Sequence, residues 1–306
     1  MKKFVFGFIS LLIIGATIGV FYFKNEYQKA YNAQLAHIDP INEEDIEFKG
    51  AKPVKGIVNV LLLGSDARPG DTGNSDTLMI GQYNNDQKKL KLVSVMRDTY
   101  VDIPGHGMSK INAAYSLGGP DLVRQTLKKN FGINLHYYAI VDFKSFSSVF
   151  DILAPDGIEV DIPYEMSYGI GMTLPAGKQI LHGNDALGYA RFRHDINSDF
   201  GRVQRQQEII AKVKDEALST HTITNLPTIL GTLDAYVATN LDMKTMLGIG
   251  TSLITQDFGE IETLRIPLEE SYEDEYNEYG QQILAVDLAE NRRALIQFLS
   301  NKPSIK

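Results

Sequence analysis

Phe4–Phe23 (FVFGFISLLIIGATIGVFYF) is a run of 20 residues without a charge. As a helix rising ~1.5 Å per residue it reaches about 30 Å, the thickness of one hydrocarbon core. Thirteen of its positions are Phe, Val, Ile or Leu, each favouring insertion by roughly 0.3–0.6 kcal/mol. A cleaved signal peptide is the competing reading, but its apolar core is shorter and ends at small residues, whereas this run ends in FYFK. The run therefore predicts an uncleaved transmembrane anchor over 4–23. Lys2, Lys3 and the amino terminus face Lys24 and Lys29 across it, a slight bias that keeps residues 1–3 in the cytoplasm and exports the rest.

The chain contains no cysteine, which excludes a disulfide framework, thiolate metal sites and lipid-modified cysteine. Setting aside the three lysines of residues 1–24, the net charge of −8 leaves an exported part at −11. Such a domain repels nucleic acid, and no basic helix–turn–helix face offsets this, so nucleic acid is disfavoured as a partner.

Residues 24–55 are polar and end in Pro and Gly, the pattern of an extracellular stem. Folding then begins with IVNVLLLG (57–64), a continuous apolar run closed by Gly and suited to a strand buried on both faces. TLMIGQYN (77–84) and KLKLVSVM (89–96), joined by a polar turn, predict an antiparallel hairpin beside it. Helical periodicity marks 121–130, 142–153, 199–218, 242–254 and 287–299, with strand candidates at 158–162 and 260–267. The acidic, Tyr-rich run 269–279 reads as a solvated loop. The expected fold is α/β: a single domain over 56–306 with a central mixed β-sheet between helical layers, behind the N-terminal transmembrane helix.

Three polar segments carry chemistry. In GSDARPGDTGNSDT (64–77), Asp66 leaves one strand and Asp76 begins the next, with Arg68 between. Strand ends are where open α/β sheets hold ligands, and magnesium takes one or two carboxylates and completes its shell with water and phosphate. Turn and cap roles for both aspartates remain an equal alternative. In SVMRDTYVDIPGHG (94–107), Arg97 and Asp98 follow an apolar strand, either as a phosphate fork oriented by a carboxylate or as a structural ion pair. In DALGYARFRHDINSDFGRVQRQQ (185–207), Arg191 and Arg193 share a side if extended, while Arg202 and Gln206 share a helix face behind Asp199. Arg205 lies on a neighbouring face. Six of the ten arginines fall in these segments, although the chain is acidic overall. Together they describe a magnesium–arginine clamp for a pyrophosphate outside a membrane. Zinc-ligand spacing, a GxSxG elbow and a Walker sequence are absent.

NVLLLGSDAR, SDTLM, SVMRDTYVDIPG, KINAAYSLGG and YARFRHD…SDFGRVQRQQ, in this order behind one anchor, resemble the LytR-CpsA-Psr family of Gram-positive bacteria over roughly 57–218. The resemblance implies a phosphotransferase that moves a glycopolymer, teichoic acid or capsule, from an undecaprenyl pyrophosphate carrier to peptidoglycan. It implies that Asp66 and Asp76 hold Mg²⁺ or Mn²⁺ and that Arg68, Arg97, Arg191, Arg193, Arg202 and Gln206 bind the pyrophosphate. Asp199 would orient these donors or assist proton transfer, and Arg97, Asp98 and Asp199 form the catalytic set, with the base left open among Asp66, Asp98 and Asp199. The polyprenyl chain would occupy an apolar tunnel between sheet and helices. Many relatives carry Arg two residues before the second metal carboxylate, where this chain has Asn74. The alternatives are a polyprenyl pyrophosphate phosphohydrolase and a non-catalytic lipid-binding surface regulator. The expected location is the cell membrane, single-pass, with the catalytic domain outside.

Overall fold

In the computed structural model the described residues are 19, 21–35, 46–54, 56–65, 75–195, 198–217 and 225–300. In chain order they form α1 (21–35), β1 (Ile57–Ser65), β2 (Ser75–Asn84), β3 (Lys89–Val95), β4 (Thr99–Ile103), β5 (Gly107–Lys110), α2 (Ala113–Phe131), β6 (Tyr137–Asp142) and α3 (Phe143–Leu153). There follow β7 (Ile158–Ile162), β8 (Gly177–Leu181), α4 (Gly183–Arg191), α5 (Ser198–Ala217), α6 (Leu226–Tyr236), β9 (Val237–Thr239) and α7 (Met243–Thr255). Last come β10 (Ile261–Ile266), β11 (Tyr272–Tyr276), β12 (Gln282–Val286) and α8 (Leu288–Ser300).

The apolar run at 57–64 is the central strand, with antiparallel β2 on one side and parallel β6 on the other. The sheet order is β10-β3-β2-β1-β6-β9, mixed in direction as expected. Alternation along its strands sends Leu61, Leu63, Leu78, Ile80, Val93 and Val95 to one face. They pack there on Val123, Leu127 and Phe131 of α2 and on Leu295 and Leu299 of α8. Burying each large aliphatic side chain contributes about 1.5–3 kcal/mol, so this layer dominates stability. On the opposite face Gln207 of α5 donates to Ser94 Oγ of β3 at 3.0 Å, and a second core joins α3, α4 and α5 to the β7–β8 hairpin. Val60 and Leu62, which point toward that side of β1, stay half-buried.

Helix starts follow local chemistry. Asp142 caps α3 by accepting from Ser145 N–H at 2.6 Å, and Asp242 caps α7 through Thr245 N–H at 2.9 Å. The helix expected at 121–130 begins earlier, at Ala113, and is broken at Gly118–Gly119 just before Pro120. The acidic run expected as a loop contains a strand, β11, paired antiparallel with β12; its mostly exposed edge position hid it from hydrophobic patterning.

The expected membrane span lies outside the described residues except at 19 and 21–23, and among the described residues no helix is long and apolar enough to cross a membrane. Much of the expected stem is packed. Tyr27 of α1 donates to Asp234 of α6, and Tyr236 donates to Gln34 at 3.0 Å. Gly231 allows this approach, since a Cβ there would sit 2.2 Å from the Tyr27 carbonyl oxygen. Ala51 N–H donates to Leu135 O at 2.8 Å, and the Phe48 ring lies 5.2 Å from that of Tyr138.

Candidate active site

The site sits at one end of the six-stranded sheet, where the parallel strands β1 and β6 finish, β3 gives way to Met96 and Arg97, and antiparallel β2 begins. This is the carboxyl edge at which α/β sheets hold ligands. Asp76, the second residue of β2, meets Arg97 Nη1 at 2.6 Å and Arg193 Nη2 at 3.3 Å, both on Oδ1. Asp199, in the first turn of α5, faces Arg97 Nε at 3.7 Å, Arg193 Nε at 3.5 Å and Arg202 Nη2 at 2.8 Å. Residues separated by more than 120 positions thus close a ring of two carboxylates and three guanidiniums. Asp98 joins through Arg97 Nε at 3.5 Å and is paired with Lys110 Nζ at 2.7 Å.

Burial and charge work against each other here. Burial alone would raise the Asp76 pKa, but the Arg97 hydrogen bond and the charges of Arg193, Arg97 and Arg202 hold it below the usual carboxylate value. Burial disfavours the Arg97 cation, yet Asp199, Asp76 and Asp98 together raise its pKa. Arg202 is the exception: only 3% exposed, it is pushed down by burial to about 10 despite Asp199. Its Nε and Nη1 have no hydrogen-bond partner. A buried guanidinium with two unmet donors calls for an anion.

The anion would enter a cleft lined by Asp76, Arg191, Arg193, Arg202, Gln206 and Tyr168 among others. Arg191 is the last residue of α4, not part of an extended segment, and its guanidinium lies 4.8 Å from the Phe143 ring centroid; it still shares the cleft with Arg193. Gln206 Nε2 donates to Thr77 Oγ1 at 3.1 Å and Ala190 O at 3.3 Å. Arg205, on the neighbouring face, is structural. It donates to the carbonyls of Tyr189 (3.1 Å) and Phe192 and meets Asp195 at 2.5 Å, which fixes the backbone that carries Arg191 and Arg193. Ser198, at φ +46°, turns the chain into α5 so that Asp199 faces the arginines.

The structure thus brings together Asp76, Arg97, Arg193, Asp199 and Arg202, with Asp98, Arg191 and Gln206 at their edge. Asp66, Arg68 and Asn74 lie outside the described residues. Lys110, Tyr168 and His194 were not singled out for the site by sequence. Lys110 and His194 carried a signal, as members of the motifs KINAAYSLGG and YARFRHD, and the β4–β5 register places Lys110 opposite Tyr100. Among the described residues no group of three or more His, Cys, Asp or Glu could hold a metal. A single-carboxylate ion remains compatible, because neither arginine contact to Asp76 uses Oδ2.

The model of the LytR_cpsA_psr family matches residues 20–295. The chain is 39% identical over 280 residues to the regulatory protein MsrR of Staphylococcus aureus strain COL, covering 92% of this chain and 85% of MsrR. It is 35% identical over 246 residues to the polyisoprenyl-teichoic acid–peptidoglycan teichoic acid transferase TagU of Oceanobacillus iheyensis, covering 78% and 76%. The solved structure of YwtF (TagT) with bound octaprenyl pyrophosphate lipid superposes with a TM-score of 0.61 at 25% identity, covering 87% of this chain and 98% of that one.

Proposed function

The chain belongs to the LytR-CpsA-Psr family, and on that premise we propose that it is a membrane-anchored phosphotransferase joining a cell-wall glycopolymer, teichoic acid or capsule, to peptidoglycan. The donor is the polymer linked to undecaprenyl pyrophosphate. The observation that carries this reading is Arg202, buried with two unpaired nitrogens in a cleft shared with Arg191, Arg193 and Gln206. A pyrophosphate supplies the oxygens those donors lack. The TagU name and the octaprenyl pyrophosphate seen in TagT support the donor class.

In the transfer, a sugar hydroxyl of the acceptor attacks the phosphorus that carries the polymer. The bond from that phosphorus to the bridging oxygen breaks, polyprenyl phosphate departs, and a phosphodiester remains. Charge grows on the bridging oxygen, where Arg97, Arg193 and Arg202 offer fixed positive charge in a partly dry site. Asp199, spread over three guanidiniums, holds those donors in place. Asp98 is the less encumbered candidate base: it contacts Arg97 only at 3.5 Å and has one close cation, Lys110, whereas Asp199 is shared by three guanidiniums. Asp76, together with Asp66, would hold a divalent ion such as Mg²⁺ or Mn²⁺, which would supply further neutralisation of the diphosphate. The half-buried Val60 and Leu62, on the α5 side of the sheet, support a polyprenyl path between sheet and helices. The run 4–23 anchors the chain in the cell membrane with its domain outside.

A regulator that only binds lipid is the second reading, favoured by the MsrR name. Complementation separates the two: the Asp98→Asn protein, present at normal membrane levels, fails to restore a deletion strain if transfer is the function and restores it if binding suffices.

A further inference from the structure

A second, larger cleft of about 550 Å³ lies against the ring of charges, sharing Arg97, Asp98, Arg193 and Asp199 with the first site. Its outer wall comes from the C-terminal part of the chain, which the phosphate chemistry leaves unused: Arg265, Glu269, Tyr272 and Asp274. The Phe200 and Tyr272 rings stack at 5.5 Å and 29°, and the Arg265 guanidinium lies 4.2 Å from the Phe200 centroid. Gln204 and Gln282 add neutral amides at the same wall.

The two clefts differ in chemistry. Each is lined by three arginines, but the first sets them against the single carboxylate of Asp76 and suits a diphosphate, whereas the second also carries Asp98, Asp199, Glu269 and Asp274. The second offers a half-buried aromatic platform with amide and carboxylate neighbours, the combination that holds a pyranose by its C–H face and its hydroxyls. Glu269 and Asp274 are exposed at its rim on the acidic 269–279 stretch, which repels a polyanionic donor and attracts ammonium groups. In an in-line displacement the entering and leaving oxygens lie on opposite sides of phosphorus, and the two clefts meet at Arg193, which lines both.

We propose that this second cleft is the acceptor site, taking an amino-sugar strand that carries ammonium-bearing side groups, with its hydroxyl presented to Asp98. The proposal rests on the ligase reading. The hydroxyl oxygen forms the new O–P bond, its proton passes to the Asp98 carboxylate, and the electron pair of the broken P–O bond leaves with polyprenyl phosphate.

The test uses the full chain in detergent with lipid-linked donor and two acceptors: soluble peptidoglycan strands with free stem amines, and the same strands N-acetylated. The wild type is expected to show a several-fold lower acceptor KM for the free-amine strands. Glu269→Gln with Asp274→Asn, both exposed, should erase that difference. Tyr272→Ala should raise acceptor KM about tenfold, ~1.4 kcal/mol, for both strands, with kcat and donor KM within about twofold. Transfer by the wild type with equal KM for both strands, unmoved in Tyr272→Ala, overturns the acceptor site and leaves ligation standing. No wall product with either strand overturns both.

Discussion

Arg202 and Arg193 divide the site's work. Arg202 is positioned to bind charge and Arg193 bridges both carboxylates. Replacing Arg193 or Arg97 by Ala is expected to leave folding nearly intact, as judged by circular dichroism, and to abolish polymer transfer to wall fragments. Pyrophosphate should raise the melting temperature of the wild type by mass action, and Arg202→Met should lose that rise while being at least as stable without ligand, since its buried cation carries a desolvation cost. Asp76 sets an acid limit. Its pKa lies below 3.8 in the folded chain, so its stabilising contribution is full above that value and is lost as pH falls through the folded value. Melting followed from pH 6 to pH 3 should drop below about pH 4 in the wild type, and less in Asp76→Asn. Much of this was legible in the sequence, because arginines concentrated in three segments of an acidic chain are chemically conspicuous. Tyr168 was not, since nothing in its local pattern says which loops a sheet edge will gather.

Elements decide how firmly those residues are held. Arg205 ties the end of α4 to α5 through Tyr189 O, Phe192 O and a nearly buried Asp195. Arg205→Ala removes the cation from that carboxylate, which keeps the Tyr164 hydroxyl, and a donor from two carbonyls, and should cost about 3–5 kcal/mol in denaturant unfolding. Transfer should fall with it, because Arg193 loses its seat. At the far end of the sheet, His136 Nδ1 accepts from Asn59 N–H at 2.9 Å, beside a polar row in which Gln82 donates to Asn59 at 3.0 Å. Burial lowers the His136 pKa below 6.5. Stability is therefore full above that value and declines as pH falls toward the folded pKa. A His136→Asn chain should lose the part of the pH 7 to pH 5 melting slope that belongs to this group. Elements with strong apolar periods, β1, the β2–β3 hairpin and α3, were readable from sequence. The β4–β5 hairpin and β11 were not: β5 is four residues with none buried, and YEDEY owes its strand to pairing with β12.

At the scale of the molecule, one mixed sheet places two clefts of opposite character on either side of a single ring of charge. α1 packs on α6, so a helix entering from the membrane would hold the domain at a set orientation to the bilayer. With the run 4–23 as anchor, carbonate extraction should leave the chain in the membrane fraction, and protease added to cell-wall-stripped cells should remove the domain. Release and joining are coupled in a ligase, which one assay measures: polymer-labelled polyprenyl pyrophosphate donor, peptidoglycan strands, and a count of polyprenyl phosphate released against label joined to strand. Coupled transfer gives one release per joined polymer in the wild type and neither product in Arg193→Ala. Release that continues without joined label, or joining that survives Arg193→Ala, would contradict it.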